Sequence, residues 1–138
     1  MAPTTFQPHG TAQLESADAI LTVHMRGDWN LEMISQTTPQ MRQLAAKLNA
    51  AGPWGILNHL HDTLVYSEAV YAKTRQDYAA RSPQSKLCAV AFVIGPLVEG
   101  ANLLKPRFES LLEGVIDARV FADDASARQW LHQKISSA

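Results

Sequence analysis

The feature that most constrains the fold is an unbroken apolar run, Leu87–Ile94. A run of this length that is rich in β-branched residues, such as Val90 and Ile94, is typical of a strand covered on both faces. Gly95 and Pro96 follow the run directly and end it. Because strands covered on both faces occur mainly in parallel sheets flanked by helices, the run predicts a central strand in an α/β domain.

The composition is that of an ordinary globular domain without a strong charge. The chain has 138 residues, of which 46% are hydrophobic and 18% are charged, and its formal net charge is -1. A chain of this length can build one core without a disulfide or a structural metal. Since a charge near zero gives no bulk attraction to polyanions, we expect no nucleic-acid partner.

Cysteine usage and the termini indicate where the protein works. The single cysteine, Cys88, lies inside the apolar run, so we interpret it as a small buried hydrophobic residue. Residues 1–9 have no cationic start followed by an apolar core, and no apolar run approaches the roughly 18 residues that span a bilayer. We therefore expect a cytoplasmic protein with no cleaved leader, no membrane span and no cofactor.

Hydrophobic periodicity predicts two strands followed by alternating helices and strands. Residues 1–9 form either a loose arm or the lead into the first strand, and residues 1–138 form a single domain. Strands are expected at residues 11–15, 21–25, 54–60, 87–94 and 118–121, and helices at residues 39–52, 67–80 and 97–112 and after Asp123 or Asp124.

Two prolines determine how the first and third helices are predicted. Pro39 suits the first position of a helix capped by Thr38, so Asn30 would cap a separate short turn before it. Pro106 lies inside the apolar stripe of residues 97–112, where it either kinks the helix or divides it in two.

This order of elements predicts the topology. Helices between strands act as crossover connections, so the last three strands should be mainly parallel, with the opening hairpin as an antiparallel edge. The fold class is therefore α/β with a four- to five-stranded mixed sheet. The exposed edge of the hairpin is the expected place of self-association, as a possible homodimer.

Four pieces of the chain carry a family resemblance. They are Arg26-Gly27-Asp28-Trp29-Asn30, Pro53-Trp54-Gly55-Ile56-Leu57, Ala89-Val90-Ala91-Phe92-Val93, and Arg119-Val120-Phe121 with Ala127, Trp130 and Leu131. In this order they resemble the STAS superfamily of sulfate-transporter and anti-sigma-factor-antagonist domains, and more narrowly the small stand-alone STAS-like proteins of bacteria. The resemblance implies a STAS-like fold and a non-enzymatic regulatory or binding role.

The resemblance also implies a switch residue. In signalling members of the superfamily, a serine at the start of the helix after the third strand is phosphorylated, which switches binding to a partner kinase or sigma-regulating protein. The matching residue is Ser67, although Tyr66 precedes it where the family pattern has an acidic residue. A helix N-terminus holds a phosphate well, but serine is also favoured there as an ordinary N-cap.

The expected binding surface follows two parallel strands and opens at one edge of the sheet. It offers helix N-terminal amides, hydroxyl groups and an aromatic ring to a protein partner or a small anionic ligand. Its candidate residues lie in the loop and helix start at residues 62–70 and in the turn after the apolar run: Asp62, Thr63, Tyr66, Ser67 and Gly95.

Two other functions are compatible with the sequence. The apolar stripe of residues 97–112, interrupted by Pro106, favours a protein that binds a lipid or small apolar ligand between sheet and helices.

His59 and His61 lie two residues apart on a predicted strand and face one side, with Asp62 adjacent. Such a set can bind zinc or another transition metal and support a small metal-dependent hydrolase. The alternative is one packed and one exposed histidine, since no further ligand is defined.

The remaining candidates have structural roles. Asp123 and Asp124 precede a helix, so capping is expected rather than acid–base chemistry. The three tryptophans lie beside apolar stripes, and we expect core or core-edge positions for Trp29, Trp54 and Trp130.

Overall fold

The computed structural model describes residues 10–29, 31–98 and 100–138, which form one mixed sheet with helices on both faces. Residues 1–9, the expected arm, and Asn30, the expected cap, lie outside these ranges. The strands are β1 (Gly10–Ala17), β2 (Ile20–Trp29), β3 (Trp54–Tyr66), β4 (Leu87–Ile94) and β5 (Ala118–Phe121). The helices are α1 (Leu31–Ala51), α2 (Glu68–Ala79), α3 (Ala101–Leu111) and α4 (Asp124–Ser137).

The sheet has the order β1-β2-β3-β4-β5. Strands β1 and β2 pair antiparallel, and every later neighbouring pair is parallel. The predicted mixed sheet, with its antiparallel edge and parallel remainder, is therefore confirmed. In β4 every residue except Cys88 is buried, as expected for a strand covered on both faces.

Two separate cores cover the sheet. The larger core packs α1, α2 and α3 on the face that carries Val23, Ile56 and Phe92. The smaller core packs α4 on the face that carries Leu57 and Val93. Trp54 and Trp130 are buried, which confirms their core positions, whereas the side chain of Trp29 lies outside the described part.

Cys88 differs from its expected environment. It is half-buried rather than buried, and its thiol donates a hydrogen bond to the carbonyl of Trp54 at 3.3 Å. Partial burial raises the pKa of the thiol because it disfavours the thiolate. The residue thus packs at the margin of the smaller core.

Helix α1 is continuous, and the prediction that it begins at Pro39 was wrong. Pro39 lies inside the helix and lacks the amide that would continue the hydrogen-bond ladder. In the same turns the hydroxyls of Thr37 and Thr38 donate to the carbonyls of Met33 and Ile34, both at 2.7 Å. These bonds lie in the turn before the proline, whereas the carbonyl that loses its amide partner is that of Ser35, so the helix passes through Pro39 with one backbone bond fewer.

Helix α3 is shorter than predicted and is not divided at Pro106, which lies inside it. Ala101, Phe108 and Leu111 are buried as the stripe predicted. Leu97 lies before the helix and is 96% exposed, so its place in the buried stripe was wrong.

Strand β3 extends beyond the predicted residues 54–60, since residues 62–66 continue it rather than forming a loop. Arg26 pairs with His61, but the next residue, Gly27, pairs with Leu64. Asp62 and Thr63 therefore fall in a register shift, after which β3 pairs with the end of β2. Such bulges re-aim the side chains beside them and are frequent next to functional sites.

Candidate functional site

The four helices of the described residues all start at the same edge of the sheet, which we call the carboxyl edge. Because β2, β3, β4 and β5 are parallel and each is followed by a helix, the starts of α1, α2, α3 and α4 lie at their common end. The carboxyl edge therefore carries Leu31, Ser67, the turn at residues 95–97 and the first turn of α3. In open α/β sheets this is the edge where ligands and partners bind.

Ser67 caps α2, as the sequence predicted. Its backbone is extended, and its Oγ accepts a hydrogen bond from the amide of Val70 at 3.3 Å. The residue is exposed, so the hydroxyl is accessible at the positive end of the helix dipole. An anionic group on this oxygen would lie beside helix N-terminal amides.

An ion pair holds the start of α2 against α3. Arg107 donates to both carboxylate oxygens of Glu68, at 2.7 and 2.9 Å, and its guanidinium lies 4.1 Å from the centre of the Tyr71 ring. The hydrogen bond from Arg107 lowers the pKa of Glu68, and the same bond raises the pKa of Arg107. This exposed bidentate pair joins the residue after Ser67 to α3.

The most exposed large hydrophobic side chains of the described residues all lie at the carboxyl edge. They are Leu31, Leu97 and Leu103, with exposed fractions of 48%, 96% and 80%. Leu103 lies one helical turn before Arg107, on the same side of α3. Ser67, Arg107 and Leu103 thus belong to one surface.

The predicted binding residues are distributed between strand and helix start. Asp62, Thr63 and Tyr66 belong to β3, and their side chains lie outside the described part of the structure. Ser67 and Gly95 both lie at the carboxyl edge. A Cβ atom at Gly95 would meet the carbonyl oxygen of Ala122 at 3.8 Å, an ordinary contact, so there is room for a side chain.

The face of the sheet that α4 covers carries a cluster of three imidazoles, His24, His59 and His61. His24 and His59 are paired positions of β2 and β3, and His61 lies two residues along β3 on the same face. His24 Nδ1 lies 2.9 Å from His61 Nε2, and the rings of His59 and His61 stack with centres 4.0 Å apart. One ring nitrogen from each histidine lies within 4.8 Å of the others.

Two carboxylates approach the histidine cluster from neighbouring elements. Glu15 of β1 lies 3.3 Å from His24 Nε2, and Asp124 of α4 lies 3.7 Å from His59 Nδ1. Arg128 donates to Asp124 at 2.6 Å and to the hydroxyl of Thr22 in β2 at 3.1 Å. These contacts attach the start of α4 to the sheet beside the cluster.

Burial is the main cause that lowers the pKa of His59 below 6.5. The neighbouring charge of His24 lowers it further, and Asp124 opposes the shift. Arg26 and Arg128 act in the same direction as burial. The neutral imidazole is therefore the favoured form of His59 near pH 7.

Sequence reasoning found His59 and His61 but missed His24. The available signal was the alternation in β2. The polar residues Thr22, His24 and Arg26 alternate there with the apolar residues Leu21, Val23 and Met25, which face the larger core. That alternation placed His24 on a face without showing that β3 pairs with it in this register. Asp62, the expected third ligand, has no described side chain.

A cavity of about 630 Å³ lies between the sheet and helices α1 and α2. It differs in place from the pocket predicted along residues 97–112, since Phe108 is the only residue of α3 among its described lining residues. Tyr78 projects into it, and its hydroxyl accepts a hydrogen bond from Asn58 at 3.5 Å. Desolvation raises the pKa of Tyr78 to about 12. The apolar lining of the cavity includes Met25, Ile34, Met41, Ala45 and Phe92.

Asp123 has the capping role that was expected, whereas Asp124 does not cap the helix. Asp123 caps α4, with Oδ1 accepting from the amide of Ser126 at 2.7 Å, and this bond lowers the pKa of the carboxyl group. Asp124 is the first residue of α4 and pairs with Arg128.

A solved structure with a similar fold confirms the predicted architecture. An uncharacterized protein of the DUF3478 family from Shewanella loihica PV-4, with a SpoIIAA-like fold, superposes with a TM-score of 0.56 at 16% identity. The alignment covers 94% of this chain and 99% of that one. The fold is thus SpoIIAA-like, a STAS-type fold, as the sequence resemblance implied.

A second structure is an anti-sigma factor antagonist from Mycobacterium paratuberculosis, with 14% identity and a TM-score of 0.48. That alignment covers 89% of this chain and 94% of the other. No family model and no curated protein sequence matches the chain. Within the described ranges, none of the helices has the length and apolar character needed to cross a membrane.

Proposed function

We propose that the protein is a non-enzymatic regulatory module that binds a protein partner through the carboxyl edge. The observation that carries this proposal is the position of the exposed leucines. Leu97 and Leu103 present apolar side chains to water at the same edge of the sheet as the exposed Ser67. Apolar surface of this kind, rimmed by polar groups, is typical of a site where proteins interact.

Charge at the same surface supports a switchable contact. Ser67 is adjacent in sequence to Glu68, whose carboxylate binds Arg107. A phosphate on Ser67 would repel this carboxylate and compete for the guanidinium, which would change the surface without changing the core. We propose Ser67 as the switch residue and the cytoplasm as the place of action.

A capture experiment with the full chain tests the binding surface. Leu97→Asp and Leu103→Asp together place two charges in the apolar surface, and both side chains are exposed enough for the fold to tolerate the change. We expect wild-type protein to retain a specific partner from extract of its source cells and the double variant to lose it. Ser67→Asp should change the amount retained.

Matched variants give the controls. Gln129→Asp with Gln133→Asp adds the same charge to exposed positions of α4, on the other face of the sheet, and Ser82→Asp adds it to an exposed loop. These variants should retain the partner as the wild type does. Equal retention by the leucine double variant would refute the proposed surface, and equal retention by Ser67→Asp would refute the switch.

The cavity supports a second candidate function, the binding of a lipid or small apolar ligand. Its volume of about 630 Å³ is within the range of small-molecule sites. Its wall is largely apolar, and among its charged lining residues Lys73 already pairs with Asp77 at 2.9 Å, whereas Arg42 has no such pairing among the described residues. An apolar ligand whose one anionic end meets Arg42 fits this wall.

Native mass spectrometry tests this second function directly. Freshly purified wild-type protein should carry a bound small molecule that is released on gentle activation. Ala45→Phe, which fills the cavity from α1, should abolish the adduct, while Ala50→Phe on the exposed surface of α1 should not. Wild-type protein that carries no small molecule and fails to bind an added long-chain fatty acid would exclude this function.

A further inference from the structure

We propose that His24, His59 and His61 form a binding site for one divalent transition-metal ion, with Zn²⁺ as the best-fitting example. The site lies on the face of the sheet that α4 covers, whereas Leu103 and Arg107 belong to α3, which packs on the other face. The three donors come from two paired strands, β2 and β3, which form the rigid centre of the fold. Sites built on such elements hold their ligands more firmly than loops do.

The spacing of the ring nitrogens suits a tetrahedral ion. A Zn–N bond of about 2.0–2.1 Å holds two nitrogen ligands about 3.3 Å apart. His24 Nδ1 and His61 Nε2 are 2.9 Å apart, and a ring nitrogen of His59 completes a set within 4.8 Å. The observed distances therefore bracket the spacing that the ion requires.

The hydrogen bond to Glu15 sets the tautomer of His24. A carboxylate only accepts, so in the neutral imidazole that metal binding requires, its contact with His24 Nε2 favours the tautomer with the ring proton on that nitrogen. His24 Nδ1 then presents a lone pair toward His61 Nε2. Such a carboxylate–histidine pair is the usual support of a metal-binding imidazole, because it orients the ring and raises its basicity.

His59 has the complementary arrangement with Asp124. Its Nδ1 is buried and has no hydrogen-bond partner among the described residues, and the nearest Asp124 oxygen is 3.7 Å away. A buried polar atom without a partner is costly in a purely structural cluster. A cation bound to the other ring nitrogen of His59 would draw the imidazole and the Asp124 carboxylate within hydrogen-bond distance and so remove that cost.

The charges around the cluster are mixed. Arg26 and Arg128 act on His59 as cations, and Glu15 and Asp124 supply two carboxylates, one of which already binds Arg128. His24 and His59 retain exposed fractions of 24% and 23%, so solvent reaches the site. Three protein ligands with solvent access leave the fourth position of a tetrahedral ion for water or an anion.

Calorimetric titration of the EDTA-treated, dialysed full chain with ZnCl₂ tests the site. We expect one ion per chain and a loss of affinity of about 100-fold or more for each of His24→Gln, His59→Gln and His61→Gln. Glu15→Gln should weaken binding by about 10-fold or more, because it removes the carboxylate that orients His24. His132→Gln, on exposed α4, and His9→Gln are the matched controls and should bind as the wild type does.

Spectroscopy of the wild-type protein tests the site even if the histidine variants fold poorly. Long-range ¹⁵N–¹H spectra of wild-type protein should show Zn²⁺-induced shifts of the imidazole nitrogens of His24, His59 and His61, with His132 unchanged. Co²⁺ added to the wild type should give the intense d–d absorption of a tetrahedral site. Absence of stoichiometric binding, or binding that moves only the His9 or His132 signals, would overturn the proposal.

Discussion

At the scale of single residues, the tight turn between β1 and β2 has an unusual backbone. Asp18 and Ala19 have positive φ angles of 53° and 64°, although neither residue is glycine. Two-residue hairpin turns of type I′ require this left-handed conformation at both residues, and their favoured sequences are Asn-Gly, Asp-Gly and Gly-Gly. The carbonyl of Ala19 also accepts a hydrogen bond from Gly55 at 3.0 Å, so neighbouring strands hold the turn in place.

Replacing Ala19 by glycine should stabilise the protein. The left-handed conformation costs an alanine about 1 kcal/mol, and glycine adopts it freely. Because Ala19 is only partly buried, we expect the loss of its methyl group to offset less than this strain. Urea unfolding should show a gain of about 0.5 kcal/mol. A variant less stable than wild type would show that packing of the methyl group outweighs the strain.

Tyr78 should make stability fall at alkaline pH. Its folded pKa of about 12 exceeds the ordinary value of 10.0, so between these values the folded chain keeps a proton that the unfolded chain loses. Stability therefore decreases as the pH rises from about 10 to about 12. Urea unfolding at several pH values should show this decrease, and a smaller one in Tyr78→Phe. Since burial also raises the pKa of Tyr71, part of the decrease should remain in that variant. Equal slopes in both proteins would contradict the assignment.

Local chemistry explains which site residues could be predicted. Ser67 and Asp123 were recognised as caps because an N-cap depends on the three residues that follow it. His24 and His61 are 37 positions apart, and their contact depends on the register of two strands. Periodicity assigns each histidine to a face but does not fix that register.

At the scale of elements, α4 packs very closely on β3. A Cβ atom at Gly55 would lie 3.0 Å from Leu131 Cδ2 and 3.3 Å from the carbonyl oxygen of Ala89. Both neighbours belong to the smaller core, where Leu131 and Ala89 are completely buried. An alanine at this position would therefore force the Leu131 side chain or the β4 backbone to shift by a few tenths of an ångström.

Replacing Gly55 by alanine should destabilise the protein by about 1–3 kcal/mol, since the added methyl group overpacks the core. Gly95→Ala is the matched control, because its added atom would lie 3.8 Å from the nearest neighbour. Thermal unfolding of both variants measures the difference. Equal melting temperatures would show that Leu131 moves aside without cost.

The same scale explains the errors in the predicted helices. Periodicity located α1, but the rule that proline starts a helix placed its beginning at Pro39, eight positions after Leu31. Met33 and Ile34 pack in the larger core and extend the helix back to Leu31, a tertiary contact that no local rule contains. Strand β3 was ended too early because polar residues interrupt its apolar pattern at a register shift.

At the scale of the whole molecule, the apolar run of β4 was sufficient to predict the layered architecture. A strand buried on both faces requires helices above and below it, and the alternating order of elements then leaves few topologies. The position of the cavity was not predictable in this way, because it depends on how far α1 and α2 stand from the sheet. Single-residue burial patterns do not contain that distance.

The central claim is that the carboxyl edge contacts a protein partner, and site-specific photocrosslinking in source cells tests it most directly. A benzophenone amino acid at position 103 places the reactive group at an exposed position in the first turn of α3. One at position 133 places it at an exposed position near the end of α4. If the partner binds at the carboxyl edge, we expect one crosslinked protein of a single mass from position 103 and no crosslinked protein from position 133. The same adduct from both positions, or no adduct from position 103, would contradict it.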